Sequence, residues 1–414
     1  MIFAQNHPLG RLGIAWQISE FHGWGVFGLN VALSATKNHN QAIQLLHQPG
    51  IDAAKFPQLQ GVLQEWSKHQ THYQSSNSRI FHSDATVLHS LGNDFAFTSN
   101  KHWGKRNVGF IFFENTAFSA RGLQRAQELD LILTGSRWNS QLLAHAGLKK
   151  VAYVMQGVDM GRFESITPKV RTPKDRFVIF SGGKLEFRKG QDIALAAFKV
   201  FNQKYPDSVL MTAWHNPWPA ISRDLTNSPY GFGVPNIVNN QIDVAQWCAR
   251  SGLPASAFIN VGATPNAQMP GIYAKADVAL FPNRAEGGTN LVAMEAMAAG
   301  VPCILSANTG HLDLIAPDNC YALNKQAPYT NSTHQDWGQS NIEEIVATLE
   351  HAYHHREQLA QVGKNGRAFI GQFTWDNQTR QLFDFCANIY WEFRGALRAR
   401  PARKNVPISN KRIL

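Results

Sequence analysis

At 414 residues the chain is longer than one hydrophobic core usually serves, so two domains are expected, and its 44% hydrophobic and 16% charged residues exclude a disordered chain. No apolar run approaches the roughly 18 residues of a membrane helix, and MIFAQNHPLGRLGIAWQ lacks the basic stretch that precedes the apolar part of a signal peptide. The net charge of +10 is unevenly placed: the closing FRGALRARPARKNVPISNKRIL carries seven cations and no acid, which suits a solvated terminus or contact with an anionic membrane surface or nucleic acid.

In chain order, RLGIAWQIS, ATVLHSL, VGFIFF, LDLILTGS and KVAYVMQG are short apolar runs separated by polar or helical segments. RFVIFSGG, SVLMTAWH, FINVGA, DVALFPN and VPCILSA form a second series. Strands alternating with helices in this way predict two parallel α/β sheets. Between the series, GVDMGRFESITPKVRTPKDRF is rich in proline, glycine and charge, which places a linker near residues 157–176. Cys248, Cys303, Cys320 and Cys386 show no close pairing, the pattern of packing residues in a reducing cytoplasm.

The first strand leads into EFHGWGVFGLNVALSA, where Gly23, Gly25 and Gly28 have the GxGxxG spacing of a phosphate-binding turn. A dinucleotide fold would also need an acid about 20 residues on to hold the ribose. No Asp or Glu occurs between Glu20 and Asp52, so an oxidoreductase is not expected. Further along, SGGKLEFRKG places Lys184 and Lys189 directly after a strand, where cations would offset an anionic ligand or simply be solvated.

The most informative stretch is AEGGTNLVAMEAMAAG, which follows the strand DVALFPN. Gly287, Gly288, Thr289, Asn290 and Leu291 are expected to form a loop whose amides face a diphosphate at a helix start. Glu295 falls a turn into that helix among apolar neighbours, where an unpartnered carboxylate is costly. Glu286 falls just ahead of the loop.

Together these segments resemble the nucleotide-sugar half of retaining GT-B glycosyltransferases of the "glycosyl transferases group 1" (family four) type. QGVDMGRF matches at the interdomain crossing, GGKLEFRKG stands for the family's GRLxxxKG, and MPGIYAKADVALFPNRAEGGTNLVAMEAMAAGVPCILS stands for its acidic signature; TGHLDLI and FTWDN follow. The resemblance implies a GT-B fold of two Rossmann-like domains facing each other across a cleft. Residues 1–157 would form an acceptor-side domain and 158–376 a nucleotide-sugar domain. A helix over 377–393 would return to the first domain, and 394–414 would be the basic tail.

Carried over by residue, the resemblance gives Lys184 and Lys189 the diphosphate, Glu295 the ribose, Glu286 the donor sugar, and the backbone of Gly287 to Leu291 the phosphates. Lysine stands at 184 in place of the family's arginine, and eight residues separate the two glutamates where the family has seven. Gly23 and Gly25 are expected to approach the bound donor when the cleft closes. Glu20, His89 and Glu114 follow or end strands of the first half and are the acceptor-side candidates. The implied activity is transfer of a sugar from a nucleoside-diphosphate sugar to an acceptor hydroxyl with retention, as a metal-independent hexosyltransferase. No Asp-x-Asp pair occurs, and neither a metal nor a cofactor beyond the co-substrate is expected. A catalytically silent nucleotide- or glycan-binding protein is the alternative. The acceptor would be a glycan, a lipid-linked molecule or a protein. Nucleic acid is not expected as a partner, and the location would be cytoplasmic, in peripheral contact with a membrane through the tail.

Overall fold

The computed structural model of the chain describes residues 10–21, 23–38, 41–166, 175–330, 334 and 336–388. The first half builds a sheet from β1 (Arg11–Ile14), β2 (Ile43–Leu45), β3 (Ile80–Leu91), β4 (His102–Ile111), β5 (Leu131–Thr134) and β6 (Val151–Tyr153), in the order β2-β1-β3-β4-β5-β6. Every neighbouring pair in it is parallel. In the second half lie β7 (Phe177–Lys184), β8 (Ser208–His215), a short hairpin of β9 (Ile237–Val238) and β10 (Gln241–Ile242), β11 (Phe258–Asn260), β12 (Val278–Phe281), β13 (Cys303–Ser306) and β14 (Tyr321–Leu323). The second sheet runs β11-β8-β7-β12-β13-β14, again all parallel. A further hairpin, β15 (Gln326–Tyr329) with β16 (Trp337–Ser340), is antiparallel.

These runs form strands because both faces are covered. β5, β12 and β13 are buried at every position, which is why they read as continuous apolar stretches rather than as alternation. The covering helices are α1 (Gly23–Asn38), α2 (Gln60–Ser75), α3 (Ala120–Gln127) and α4 (Arg137–His145) in the first half. The second half adds α5 (Gln191–Lys204), α6 (Val244–Arg250), α7 (Met269–Tyr273), α8 (Leu291–Ala298), α9 (Ile342–His354), α10 (Arg356–Ile370) and α11 (Trp375–Asn388). Local caps set several starts: Ser119 accepts from Gly122 N ahead of α3, and Ser136 from Asn139 N ahead of α4.

The strand order of the second sheet reverses direction between β7 and β12. That is the topological switch point, where open parallel sheets bind ligands beyond their strand ends. The chain crosses between the halves twice, and the two crossings lie side by side: Val158 N donates to Phe373 O at 2.9 Å and Trp375 N to Val158 O at 3.3 Å. After the second crossing α11 packs on the first domain. Trp375, Leu382, Phe383 and Cys386 join the cluster of Trp16, Phe27 and Phe110, and Ser34 Oγ donates to Asp376 Oδ1 at 2.7 Å. The expected linker lies partly, the helix in its last residues, and the basic tail wholly outside the described residues. All four cysteines are free thiols. Among the described residues no helix is long and apolar enough to cross a membrane.

The structure corrects the reading of the glycine triplet. α1 already begins at Gly23, so Gly23, Gly25 and Gly28 lie on the helix rather than in a loop before it. A Cβ at Gly25 would overlap Ser19 Oγ, and one at Gly28 would come within 2.6 Å of Trp16 Nε1. Gly25 and Gly28 let α1 pack closely against the end of its own strand.

Candidate functional site

The site gathers at the ends of β7 and β12. β7 ends on Lys184, whose Nζ lies 3.6 Å from Glu186 Oε1 and 5.6 Å from the centroid of the Trp218 ring. Three residues later the short turn Phe187–Lys189 directs two adjacent cations inward. Lys189 Nζ meets Glu286 Oε1 at 2.5 Å, and Arg188 Nη1 meets Glu286 Oε2 at 3.1 Å. Asn283 Nδ2 also donates to Glu286 Oε1, and Thr309 Oγ1 accepts from Glu286 N at 2.9 Å. Burial alone would raise the Glu286 carboxyl, yet Lys189, then Arg188 and His311, hold it down at about 2. Burial in turn pulls Lys189 downward, opposed by Glu286. The pair is therefore coupled, and within it Glu286 is firmly ionised.

Arg188 is the residue that the sequence reading missed. Besides Glu286 it pairs with Glu186 Oε1 at 2.8 Å and, across the cleft, with Glu114 Oε1 at 3.1 Å. Its only sequence signal was adjacency to Lys189 in FRKG. A second unforeseen arginine, Arg284, is fully buried and bidentate to Asp192 at 2.7 Å for both bonds, with its guanidinium 3.7 Å from the Phe187 ring. This pair fixes the turn that presents Arg188 and Lys189.

The loop Gly287 to Asn290 leads into α8, with Asn290 as its first cap. Glu295 is half-buried in α8, accepting from Tyr273 Oη at 3.0 Å and from Asn266 Nδ2 at 3.2 Å. Arg162, which donates to Asn266 Oδ1, also faces this carboxylate, but burial dominates and raises the Glu295 carboxyl from its ordinary value. Glu286 and Glu295 thus belong to separate polar networks on either side of the loop.

The first domain reaches this loop through the segment after β4. A Cβ at Gly287 would stand 2.6 Å from both Phe113 N and Phe113 O, so only glycine permits the approach. Glu114 Oε1 accepts from Gly287 N at 3.2 Å, Trp337 Nε1 donates to Glu114 O at 2.9 Å, and Ser136 Oγ donates to Gly287 O at 2.7 Å. The place expected for Gly23 and Gly25 is therefore taken by Phe112, Phe113 and Glu114, since Gly25 meets Ser19 of its own domain instead. Glu20 pairs with Lys55 at 3.4 Å within the first domain. His89 is a correction: β3 continues past it to Leu91, leaving it 1% exposed, bonded to Asn107 Oδ1 at 3.0 Å and pushed down to about 4 by burial. It offers no face to an acceptor.

Residues 234–328 match the family model described as "Glycosyl transferases group 1". Among curated proteins no sequence matches. The fold is shared with solved structures of low identity. The Anabaena protein HepE, determined with UDP and glucose, is 15% identical over 91% of this chain and 98% of that one, with a TM-score of 0.59. A sucrose-phosphate synthase from Thermosynechococcus elongatus is 13% identical over 92% and 99%, with a TM-score of 0.60. A glycosyltransferase from Rickettsia africae is 11% identical over 92% and 99%, with a TM-score of 0.59. The two facing parallel sheets are the GT-B fold, and the sequence resemblance to group 1 glycosyltransferases holds over the matched segment, which contains Glu286 and Glu295.

Proposed function

We propose that the protein transfers a sugar from a nucleoside-diphosphate sugar to an acceptor hydroxyl, with retention at the anomeric carbon and without a metal. The observation that carries the reading is the Lys189–Glu286 pair beside the glycine loop at the β7/β12 switch point, within the segment matched to group 1 glycosyltransferases. HepE, which shares the fold, was determined with UDP and glucose and with UDP-glucose, which supports a donor of this chemical class.

In this reading the donor lies along the ends of the second sheet. Glu295, set by Tyr273 and Asn266, accepts hydrogen bonds from the ribose hydroxyls. The amides from Gly287 to Leu291 and the cations of Lys189, Arg188 and Lys184 take up the charge that develops on the departing diphosphate as the glycosidic bond breaks. Glu286 remains ionised beside the sugar, where it orients hydroxyls and offsets positive charge on the ring. Arg188 and Lys189 are partly neutralised by Glu114, Glu186 and Glu286 in the structure, so donor phosphates enter by exchanging with carboxylates rather than by meeting bare cations. Glu114, carried on the acceptor side and already at the loop, is the first-domain group nearest the chemistry.

The test is calorimetry of the intact chain with UDP, GDP and ADP and with their sugars, followed by transfer assays in excess EDTA on the donor that binds. Binding with sugar release or transfer that survives chelation, and a product of unchanged anomeric configuration by NMR, is the expected result. Tight binding with neither hydrolysis nor transfer across an acceptor panel would make the protein a silent nucleotide-sugar binder.

A further inference from the structure

Asn290 caps α8 with φ 67° and ψ 90°, in left-handed space that asparagine enters more readily than most residues. An asparagine at a helix cap ordinarily turns its oxygen onto the first free amides of the helix. Here the side chain makes no capping bond. Its Nδ2 lies 3.1 Å from His311 Nε2, the residue is 4% exposed, and its Oδ1 is buried without any hydrogen-bond partner. A buried acceptor left unpaired is costly, which points to a partner outside the folded chain.

The hydrogen-bond chain behind Asn290 fixes which way its amide faces. Ser306 Oγ lies 2.7 Å from the carbonyl of Asn283, and two oxygens so close require the hydroxyl proton between them. Ser306 Oγ is then left to accept from His311 Nδ1, 2.9 Å away, so that nitrogen carries the imidazole proton. With burial pushing His311 down to about 4, the ring is neutral and Nε2 is an acceptor. Asn290 must therefore offer Nδ2 to it, which leaves Oδ1 on the other side. The same chain continues through Asn283 Nδ2 to Glu286, whereas Glu295 is held separately by Tyr273 and Asn266. The Asn290 side chain is thus anchored on the network of Glu286, not on that of Glu295.

We infer that Asn290 Oδ1 is a specificity element that accepts a hydrogen bond from one hydroxyl of the donor sugar. A phosphate oxygen has no proton to offer and would be repelled, so the partner must be a donor, and the Glu286 side of the loop is the sugar side. The inference rests on the donor-site reading above. His311 and Ser306 act as positioning residues: they set the amide and touch no ligand. A donor whose hydroxyl is missing or replaced leaves the oxygen unpaired, and the site discriminates against it.

The experiment is calorimetry on the intact chain and on Asn290→Gly, in which glycine keeps the left-handed backbone while removing the amide. UDP-glucose and GDP-mannose are each titrated against the free nucleotide, together with analogues of the binding donor in which one hydroxyl at a time is replaced by fluorine. Asn290→Gly is expected to weaken the nucleotide sugar about tenfold while leaving the free nucleotide within about twofold. One fluorinated analogue should bind the wild type about tenfold less well than its parent, and that penalty should vanish in the variant. Equal weakening of nucleotide and nucleotide sugar, or an unchanged pattern of analogue penalties, overturns the inference while leaving the donor site standing. Failure of every nucleotide and nucleotide sugar to bind the wild type removes the donor-site reading and this inference with it.

Discussion

The two edges that face each other across the cleft are the strand ends of two sheets of the same kind, yet they are chemically unlike. The second domain brings Lys184, Glu186, Arg188, Lys189 and Glu286 together at its switch point, with Glu186 and Glu286 buried and the three cations partly buried. The first domain meets them with aromatic packing, in which Trp24 lies edge-on to Phe112 at 4.9 Å and Phe27 packs on Phe110 at 4.5 Å, and with one carboxylate, Glu114. Buried charge is costly unless a network or ligand offsets it, and the edge that carries it is the one to which the proposed function assigns the anionic donor. The comparison predicts that substitutions on the second edge change donor chemistry, whereas those on the first change access or stability.

The largest effect is expected at Lys189. Under the proposed function, Lys189→Met removes a cation from the departing diphosphate, and it leaves Glu286 with Arg188 as its main counter-charge. Transfer should fall about 10²–10³-fold, and stability in chemical denaturation should drop by about 3–5 kcal/mol, as when one partner of a buried pair is removed. The same pair predicts the acid limb of the wild type. Glu286 is held below its ordinary 4.5, at about 2, so its contribution is full above 4.5 and is lost as pH falls from 4.5 towards 2. Denaturation followed across that range should show a shallower loss in Lys189→Met. An unchanged transfer rate in a folded Lys189→Met would break the comparison at its stronger side.

A smaller effect, of opposite sign, is expected at Glu114. Its carboxylate occupies Gly287 N and one face of Arg188, the groups assigned to the donor. Glu114→Ala should therefore tighten binding of the free nucleoside diphosphate by about threefold to tenfold, the value of one charge-assisted contact. The domains should also separate, read as a larger radius of gyration in solution scattering. Weaker nucleotide binding in Glu114→Ala would mean that this carboxylate builds the site instead of competing for it.

How far each edge was legible in the sequence follows from the same physics. The central strands were plain because burial on both faces writes an unbroken apolar run, as in DVALFPN and VPCILSA. β2, three residues within NQAIQLL, and β14 are too short for that signal. Glu286, Lys189 and Glu295 stood out as charges in apolar or glycine-rich surroundings, and the structure places Glu286 and Lys189 in one ion pair. Arg188 did not stand out, because its meaning depends on Glu114 in the other domain, a pairing that no local pattern encodes. Asn290 was visible only as part of a loop whose backbone was of interest, since its isolated oxygen depends on the proton order of Ser306 and His311. His89 is buried because β3 lies inside the sheet, between β1 and β4, a placement that ATVLHSL alone does not encode.

The smallest effect at the donor site is expected from the glycine triplet, and it tests the weaker side of the comparison. GxGxxG spacing after a strand invites a phosphate, but a glycine serves equally where one element must pack against another without a Cβ between them. At Gly25 the missing Cβ would overlap Ser19 Oγ, a neighbour in the same domain, while the approach to Gly287 is made by Phe113. Gly25→Ala must therefore shift α1 or the end of β1 to fit, a small-to-large change that costs about 1–3 kcal/mol of stability. Nucleotide affinity should stay within about twofold, because Glu295 and the loop amides proposed to hold the nucleotide lie in the other domain, and Glu295 is held there by Tyr273 and Asn266. Denaturation and calorimetry on one preparation separate the two quantities. A Gly25→Ala protein of wild-type stability whose nucleotide affinity has fallen would mean that α1 touches the donor after all, and that the two edges divide the chemistry more evenly than their charges suggest.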